Sequence, residues 1–338
     1  MMKRLLWLSP WLIAGLLLVW VWYSVSVTET IALLSQLGWN QIIALVMMNG
    51  LVLLILNARW WLILYGLGHR LPYLTLTGYR VAAFGLSYFT PGPLIGGEPL
   101  QVYLLEQHHK VPRARAIAAL SVDKLIEWMV NVLFLLIGVI FILQQQLFDQ
   151  AFASRIVIIA LFLSMLPFLL LLAIWQERYP ISSFWQLGDR VSFLRTRPIY
   201  QKIGQTIRES ETVTTRFCHE APLTLLSSLL VSLLGLVALF AEYWLMLSCL
   251  GLDLTFTQLI AALAAARVAL FALIPGGLGA IEASQVLALS QMGFNPAVGV
   301  SISLLIRARD VILGISGLWW GSKLIASVKR VLPDTSPI

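Results

Sequence analysis

The stretch TPGPLIGGEPLQVYLLEQ, from Thr90 to Gln107, combines three prolines, three glycines and two glutamates, yet long apolar stretches surround it. Proline and glycine interrupt helices, and a charged side chain is costly inside hydrocarbon. Irregular backbone at membrane depth is tolerated only where it is buried in protein or lines a wet cavity. The stretch therefore predicts a re-entrant hairpin, in which the chain enters the membrane, turns at the Pro-Gly break and leaves on the same side.

The composition places the chain in the membrane. Hydrophobic residues make up 59% of its 338 residues and charged residues only 12%, whereas soluble domains are about half apolar and a quarter charged. Lys3 and Arg4 precede about 20 apolar residues without a cleavage site, which favours a retained signal anchor over a cleaved signal peptide. We expect an all-α polytopic protein with a single transmembrane domain over residues 1–338.

Six stretches are long enough to cross about 30 Å of hydrocarbon. Two shorter apolar stretches, Tyr73–Phe89 and Phe256–Ile274, each run into a Pro-Gly break and a short amphipathic helix, near Pro99–His109 and Ile281–Met292. About 11 helical residues span only some 17 Å. These two units are predicted to be re-entrant hairpins, and the six predicted spans are Leu5–Val27, Gln41–Tyr65, Ala116–Leu143, Arg155–Trp175, Leu223–Leu247 and Ala297–Trp320.

The distribution of basic residues supports this topology. With both hairpins re-entrant, every basic segment falls on one side, which the positive-inside rule makes cytoplasmic. These segments include Arg59 and Arg70 at the inner end of the second span, HHKVPRAR at 108–115 and a basic loop at 177–221. The pattern predicts cytoplasmic termini in a bacterial-type inner membrane, although hairpins whose arms both span remain an alternative. The net charge of +7 suits anionic lipid, and nucleic acid is disfavoured because the basic residues flank spans.

An internal repeat relates the two hairpins. With an offset of 184 residues, nine of the 22 positions from 91 to 112 are identical to their counterparts. The first spans of the two units cross the membrane in opposite directions, which predicts inverted-topology repeats at about 41–143 and 223–325. The nine identical positions of the first unit are Pro91, Gly92, Leu94, Glu98, Gln101, Val102, Leu105, Gln107 and Pro112.

Both hairpin tips should meet near the bilayer midplane and form one polar site. Glu98 precedes Pro99, a favourable first helical residue, so Glu98 and its counterpart Glu282 either cap helices or bind a proton, a cation or a head group. Glycine permits tight turns and close backbone approach, and proline stops the incoming helices. The predicted turn residues are Pro91, Gly92, Gly96, Gly97, Pro275, Gly276, Gly277 and Gly279.

Charged residues inside the spans are the remaining candidates. Asp123 and Glu127 lie in the third span, and Arg307 and Arg309 in the sixth. Because a charge at mid-helix costs about 2.5–3.5 kcal/mol on insertion scales, we expect the two acids to pair with the two arginines across the repeat axis. Such pairs form either a static clamp or a gate. Arg80 and Arg267 are further intramembrane cations, and an arginine in a cavity can hold a lipid phosphate.

Enzymatic and metal chemistry are disfavoured. Glu106, His108 and His109 could indicate a metal site, but adjacent helical histidines are expected to point apart. The two cysteines have neither disulfide nor metal spacing, and no Walker motif or nucleophile elbow is present. We therefore predict no metal, no cofactor and no catalytic residue.

The segments PGPLIGGEPLQVYLL, DKLIE and PGGLGAIEASQVLAL…LLIRARD resemble the lysylphosphatidylglycerol synthase transmembrane-region family, over roughly residues 10–325. Glu98, Glu282 and Arg307 match its motif positions, while Pro93 stands where a second glycine is common. The family includes the flippase half of the multiple peptide resistance factor, and stand-alone members are associated with lipid transport. The resemblance implies a lipid flippase without the aminoacyl-transfer domain, since the chain ends at Ile338.

The expected function is translocation of a lipid or lipid-linked amphiphile between leaflets. Its partners would be membrane lipids with an anionic or lipid-linked head group, and a homo-oligomer is possible. Glu98 and Glu282 would bind a cationic group or a proton, and Arg307 with nearby arginines would bind phosphate. A membrane-embedded transferase, a proton- or ion-coupled solute carrier and an accessory subunit remain alternatives.

Overall fold

The protein is all-α. The computed structural model describes residues 15–21, 23, 25–90, 96–144, 150–186, 188, 197–270 and 278–331, and its ordered elements are helices. Of the predicted turn residues, Pro91, Gly92, Pro275, Gly276 and Gly277 lie outside the described residues, as does most of the predicted first span. Residues 15–21 are helical. The labelled helices are α1 Val27–Ser35, α2 Trp39–Gly66, α3 Tyr73–Phe89, α4 Glu98–His109, α5 Arg113–Gln144, α6 Gln150–Trp175, α7 Pro180–Gln186, α8 Pro198–Glu220, α9 Pro222–Cys249, α10 Phe256–Leu270, α11 Ala280–Gln291 and α12 Pro296–Val331.

Local signals explain where these helices begin and end. Pro198 and Pro222 stand at the starts of their helices, where the missing N–H costs nothing. The Gln41 side chain accepts a hydrogen bond from the Gly38 amide at 2.9 Å and so caps α2. Lys110 adopts a left-handed backbone with φ 53° and ends α4 two residues before Pro112.

Three helices are long and apolar enough to cross a membrane, judged by length and composition over the described residues. They are Trp39–Gly66, Arg113–Phe141 and Pro222–Cys249. The first and third contain predicted spans, and the second overlaps the predicted span Ala116–Leu143 except for its last two residues. Large apolar side chains are exposed along them, including Met47 at 71% and Val237 at 64%. A contiguous exposed apolar surface of this kind fits contact with lipid, so the chain is a multi-pass membrane protein.

The predicted spans at 155–175 and 297–320 fall within single helices, α6 and α12. The three charges Arg307, Arg309 and Asp310 make α12 more polar than an ordinary span. Helices α3 and α4 match the predicted first hairpin within a residue, and α10 and α11 match the described part of the second. One detail was wrong, because α11 is buried on nearly every side and has no polar face toward solvent.

Two apolar cores lie mainly in different halves of the sequence, and each also takes a buried side chain from elsewhere in the chain. Trp60, Leu76, Leu104 and Leu120 belong to a core built mainly by α2 to α5, to which Phe217 of α8 also belongs. Met246, Ala262, Leu289 and Ile302 belong to a core built mainly by α9 to α12, to which Phe134 of α5 also belongs. The halves join where α2 packs on α9, α3 on α12, and α5 on α10, so side chains from both halves face each other along these seams.

The predicted basic loop at 177–221 contains two helices, α7 and α8. Glu211 of α8 joins them, because its carboxylate accepts hydrogen bonds from the amides of Ile181 at 2.7 Å and Ser182 at 2.9 Å. Those amides belong to the first turn of α7, which lacks intrahelical partners for them. The segment therefore contains an ordered pair of helices. Ile199, near the start of α8, is 75% exposed.

Candidate functional site

A charged chamber of about 400 Å³ lies between the two halves of the chain. Its walls include Gly97 from the first hairpin, Ile281 from the second hairpin and Asn131 from α5. This volume falls in the usual range for a small-molecule site, but its lining is much more charged than is typical. The charged residues of the lining are Arg59, Arg80, Glu98, Lys124, Glu127, Glu242, Arg267, Arg309 and Asp310.

Five predicted site residues line this chamber, namely Arg80, Glu98, Glu127, Arg267 and Arg309. Asp123 is 1% exposed and lies behind the wall, bonded to Arg80 through its Oδ2 at 2.8 Å. Glu282 and Arg307 are not part of the lining, although their neighbours Ile281 and Ile306 are. The sequence thus located most of the chamber, but it did not separate chamber residues from supporting ones.

The predicted pairing of Asp123 and Glu127 with Arg307 or Arg309 is wrong. Asp123 Oδ1 instead accepts a hydrogen bond from Arg59 Nε at 2.6 Å, and Glu127 Oε2 lies 2.9 Å from Arg59 Nη2. Arg59 Nη1 donates to the Ser232 hydroxyl at 2.8 Å. The Arg59 guanidinium, on α2, therefore donates hydrogen bonds to acceptors on α5 and α9. This position corrects the prediction that Arg59 lies at the cytoplasmic end of its span.

Arg309 pairs with two acids of the second half, one of which also bonds to the first half. Its Nη1 donates to Oε2 of Glu242 at 3.0 Å, and its Nε donates to Asp310 at 2.9 Å. The other Glu242 oxygen accepts from Asn49 Nδ2 at 3.0 Å. Glu242 is 2% exposed, so this network ties α2, α9 and α12 together where their surfaces would otherwise bury an unpaired carboxylate.

Glu282 and Arg307 form a sealed ion pair. Arg307 Nε lies 2.9 Å from Glu282 Oε1, and the two side chains are 11% and 9% exposed. The pair joins the first turn of α11 to the middle of α12. Each side chain neutralises the other, so neither presents a full charge to the chamber in this conformation.

Glu98 occupies the corresponding place in the first half, with a looser partner. Its Oε2 accepts a hydrogen bond from the Gly96 amide at 3.1 Å, at the start of α4. Its Oε1 lies 3.5 Å from Lys124 Nζ, and the two side chains are 25% and 42% exposed. The carboxylate therefore holds the backbone just before α4 and faces the chamber, but it makes no capping bond to the first turn of the helix.

Arg267 is the chamber cation with the lightest local pairing. Its Nη1 donates one hydrogen bond to Asn131 Oδ1 at 3.3 Å, and among the described residues no carboxylate forms an ion pair with it. Guanidinium carries five N–H donors in a planar fork that matches phosphate oxygens. Arg267 is thus suited to bind an anionic group in the chamber.

The described hairpin glycines act in two ways. A Cβ at Gly97 would lie 2.0 Å from the carbonyl oxygen of Ala83, so only glycine allows α4 to approach α3 this closely. Gly279 precedes α11 with φ 79°, a conformation that other residues adopt at a cost. A Cβ at Gly96 would lie 3.6 Å from Thr90 Cβ, an ordinary contact distance, so the close approach predicted for Gly96 is not observed.

The adjacent histidines of α4 do not point apart as expected. His108 Nδ1 and His109 Nε2 lie 3.0 Å and 3.1 Å from the Tyr79 hydroxyl. His108 Nε2 also contacts Ser327 of α12 at 3.1 Å. The pair connects the end of α4 to α3 and α12. Among the described residues, no group of three or more His, Cys, Asp or Glu side chains is arranged to hold a metal ion.

Family comparison agrees with this architecture. The family model described as Lysylphosphatidylglycerol synthase TM region matches residues 7–317. The chain belongs to this family. A UPF0104 membrane protein of Pyrococcus horikoshii is 24% identical over 309 residues, which covers 86% of this chain and 89% of that protein. No solved structure matches the chain. Membership of the family connects the chain with a role in membrane lipids.

Sequence reasoning missed or undervalued several residues of the site. Arg59 stands seven residues before the end of α2, about 10 Å into the helix, and this depth was the available signal that it is not a terminal residue. Lys124, Glu242 and Asp310 were visible as charges in apolar segments, but the partners of Glu242 and one partner of Lys124 lie on other helices. Asn131 carries no comparable signal, because an asparagine in an apolar helix has many possible roles.

Proposed function

We propose that the protein moves a phosphate-bearing lipid or lipid-linked amphiphile between the leaflets of the membrane. The observation that carries the proposal is the charged chamber, whose lining combines Gly97 and Glu98 of the first hairpin with Arg267 and Ile281 of the second half. Family membership supports a lipid-related role. In this mechanism the head group enters the chamber while the acyl chains stay in the surrounding lipid.

The chamber offers both signs of charge to a head group. Arg267 supplies guanidinium donors for a phosphate, and Glu98 and Glu127 supply carboxylates for a cationic group or a driving proton. A head group loses bound water on entering the chamber, so fixed charges at these positions replace water as its hydrogen-bonding partners. Each described charge in the wall has neighbours that hold it in position before the lipid arrives.

The proposal includes inverted-topology repeats at about 41–143 and 223–325. It is supported by reciprocal packing, in which α3 contacts α12 while α10 contacts α5. An inverted repeat would let the two hairpins open the chamber alternately to opposite faces. We further propose cytoplasmic termini and a bacterial-type inner membrane, in keeping with the side on which the basic segments fall.

A leaflet-resolved assay in proteoliposomes tests the function. Fluorescent phosphatidylglycerol is incorporated in both leaflets, and dithionite removes the signal of molecules that reach the outer leaflet. We expect wild type to transport the lipid and Glu98→Gln to be slower by about tenfold, because one charged hydrogen-bonding group is lost. Glu220→Gln is the control, since its ion pair with Arg216 is exposed. Equal rates for all three proteins and protein-free vesicles would refute the proposal.

Glu282→Gln provides a second arm of the same assay. This change leaves Arg307 without its carboxylate partner, so unfolding must be measured beside transport. Solute uptake into the same vesicles, in the absence of lipid movement, would instead identify a small-solute carrier. Unchanged transport in both glutamate variants would remove the carboxylates from the mechanism.

A further inference from the structure

A second cavity adjoins the charged chamber. It is a groove of about 530 Å³ between α4 and α5, lined on one side by Pro99, Val102, Tyr103 and Glu106. Residues at intervals of three or four on α5 form the other side, including Ile117 and Leu120. Such spacing places these side chains on one face of each helix. The groove follows the two arms from the Lys110–Pro112 turn to Glu98.

The groove and the chamber share two lining residues, Glu98 and Lys124. The ion pair between them spans 3.5 Å and is partly wet, with Lys124 42% exposed. An exposed pair of this kind contributes little to stability. It therefore forms a boundary between the two cavities that can separate at small cost.

The corresponding pair in the second half differs. An offset of 184 residues relates Glu98 to Glu282, and each carboxylate pairs with a cation on the helix that follows, Lys124 or Arg307. The Glu282–Arg307 pair is shorter at 2.9 Å and nearly inaccessible. A loose pair thus lines the chamber beside the first hairpin, whereas the pair beside the second hairpin is sealed and lies outside the lining.

The chemistry of the groove changes along its length. Glu106 and Arg113 lie at the end near the turn, apolar side chains line the middle, and Lys124 stands at the deep end. From Glu98 to Glu106 the helix rises about 12 Å, enough for a head group and the first carbons of its chains. A lipid that is apolar on one side and anionic at its head matches this distribution.

We propose that the α4–α5 groove is the site at which a phosphate-bearing lipid enters the protein, with Lys124 exchanging Glu98 for the lipid phosphate. The inference rests on the proposed function. Lys124 donates ammonium hydrogens to the phosphate and keeps its contact with Glu127, whose Oε2 lies 3.4 Å away on the same helix. Its contact with Glu98 is lost, and the boundary between groove and chamber opens. Val102, Ile117 and Leu120 contact the apolar part of the lipid meanwhile.

The test blocks the groove after folding. Ser121 lines the groove and is exposed on α5, whereas Ser322 is exposed on α12 and lines neither cavity. Ser121→Cys and Ser322→Cys are made in a Cys218→Ser, Cys249→Ser background, purified, and modified with a bulky methanethiosulfonate reagent. Because the modification follows folding, a loss of function cannot come from misfolding, and a reducing agent reverses it.

Two readouts are taken on each protein. Retention of phosphatidylglycerol against diacylglycerol, which carries no phosphate, is measured by native mass spectrometry, and lipid movement is measured in proteoliposomes. We expect modified Ser121→Cys to lose retention and movement by about tenfold or more and to recover both on reduction, while Ser322→Cys is unaffected. Lys124→Gln should weaken retention of phosphatidylglycerol by about tenfold, and Lys124→Arg should keep most of it, because a charged hydrogen bond is lost only in the former.

The outcomes separate the groove from the function. Normal retention and movement after modification at Ser121 would overturn the groove as the route, while the proposed translocation would stand. Retention that depends on the groove, with no lipid movement by any protein, would uphold the binding site and refute translocation. Retention of phosphatidylglycerol by Lys124→Gln equal to that of wild type would overturn the role of Lys124.

Discussion

Arg59 Nε lies 2.6 Å from Oδ1 of Asp123, and the two side chains are 3% and 1% exposed. The other oxygen of this carboxylate accepts from Arg80 at 2.8 Å, so one acid balances two guanidinium groups from α2 and α3. Removing one partner of a buried pair leaves an uncompensated charge, which is more costly than the pair is stabilising. Asp123 thus holds the wall of the chamber in place without lining it.

The first prediction follows from this contact. Asp123→Asn should lower the free energy of unfolding by about 3–5 kcal/mol, because Arg59 and Arg80 lose their shared carboxylate. Thermal unfolding in detergent measures the change. Glu220→Gln, in an exposed pair with Arg216, should leave Tm unchanged, and equal losses in the two variants would contradict the structural role of Asp123.

Arg267 should behave in the opposite way. Arg267→Gln removes a cation whose local hydrogen bond is to Asn131. The change leaves no carboxylate without its ion-pair partner, so Tm should stay close to that of wild type. It should slow lipid movement by about tenfold, since a phosphate would lose its guanidinium. Arg307→Gln is the comparison, because it leaves Glu282 unpaired and should lower Tm. A fully active Arg267→Gln protein would exclude Arg267 from head-group binding.

Close packing at the first hairpin gives a third prediction. In Gly97→Ala the new Cβ would lie 2.0 Å from the Ala83 carbonyl oxygen, so α4 must move away from α3. We expect a lower Tm and weaker retention of phosphatidylglycerol. The control Gly50→Ala introduces a methyl group into open space and should keep both values; an equally stable Gly97→Ala protein would show that the hairpin is not tightly held.

The proposed topology can be tested at the ends of the two short helices. His109→Cys and Met292→Cys, each in a background without other cysteines, place single thiols after α4 and α11. Inverted hairpins should expose them to opposite faces of the membrane. A membrane-impermeant maleimide applied to cells and to inverted vesicles distinguishes the two orientations, and labelling of both thiols from one face would overturn the inverted repeat.

The native cysteine of α8 should be nearly inert. Burial raises the pKa of the Cys218 thiol to about 11, and only the thiolate reacts with maleimide. At pH 8 about one thiol in a thousand would be ionised, and the side chain is also 1% exposed. Labelling followed by mass spectrometry should show slow modification at pH 8 that accelerates on denaturation; rapid modification of the folded protein would contradict the burial of this face of α8.

The sequence predicted helix bounds and charged site residues well where the evidence for them lies within a single helix. The bounds of α3 were predicted to the residue, because apolar length and the Pro-Gly break at 91–92 act locally. The repeat located Glu98 and Glu282, and both stand in the first turn of their helices. The chamber charges Arg80, Glu127, Arg267 and Arg309 were identified because a charge in an apolar helix is conspicuous.

The ion pairs required the tertiary structure. Composition and periodicity show that Asp123 must have a cationic partner, but several arginines lie at suitable depth, and their rotation about each helix axis depends on packing between α2, α3 and α5. The choice of Arg59 over Arg309 was decided by which helices meet. The separation of Glu282 from the chamber has the same origin, since its pairing with Arg307 depends on α11 lying against α12.

The sequence by itself determined that this is a multi-pass helical membrane protein with two similar segments, each interrupted by Pro-Gly and each carrying a glutamate. Local backbone preference and the cost of polar groups in hydrocarbon suffice for that conclusion, because both act along one helix. Only the tertiary structure decided which charges neutralise each other and which face the chamber. Those choices depend on distances between helices that are far apart in the chain, and electrostatic energy in a poorly hydrated interior changes steeply with such distances.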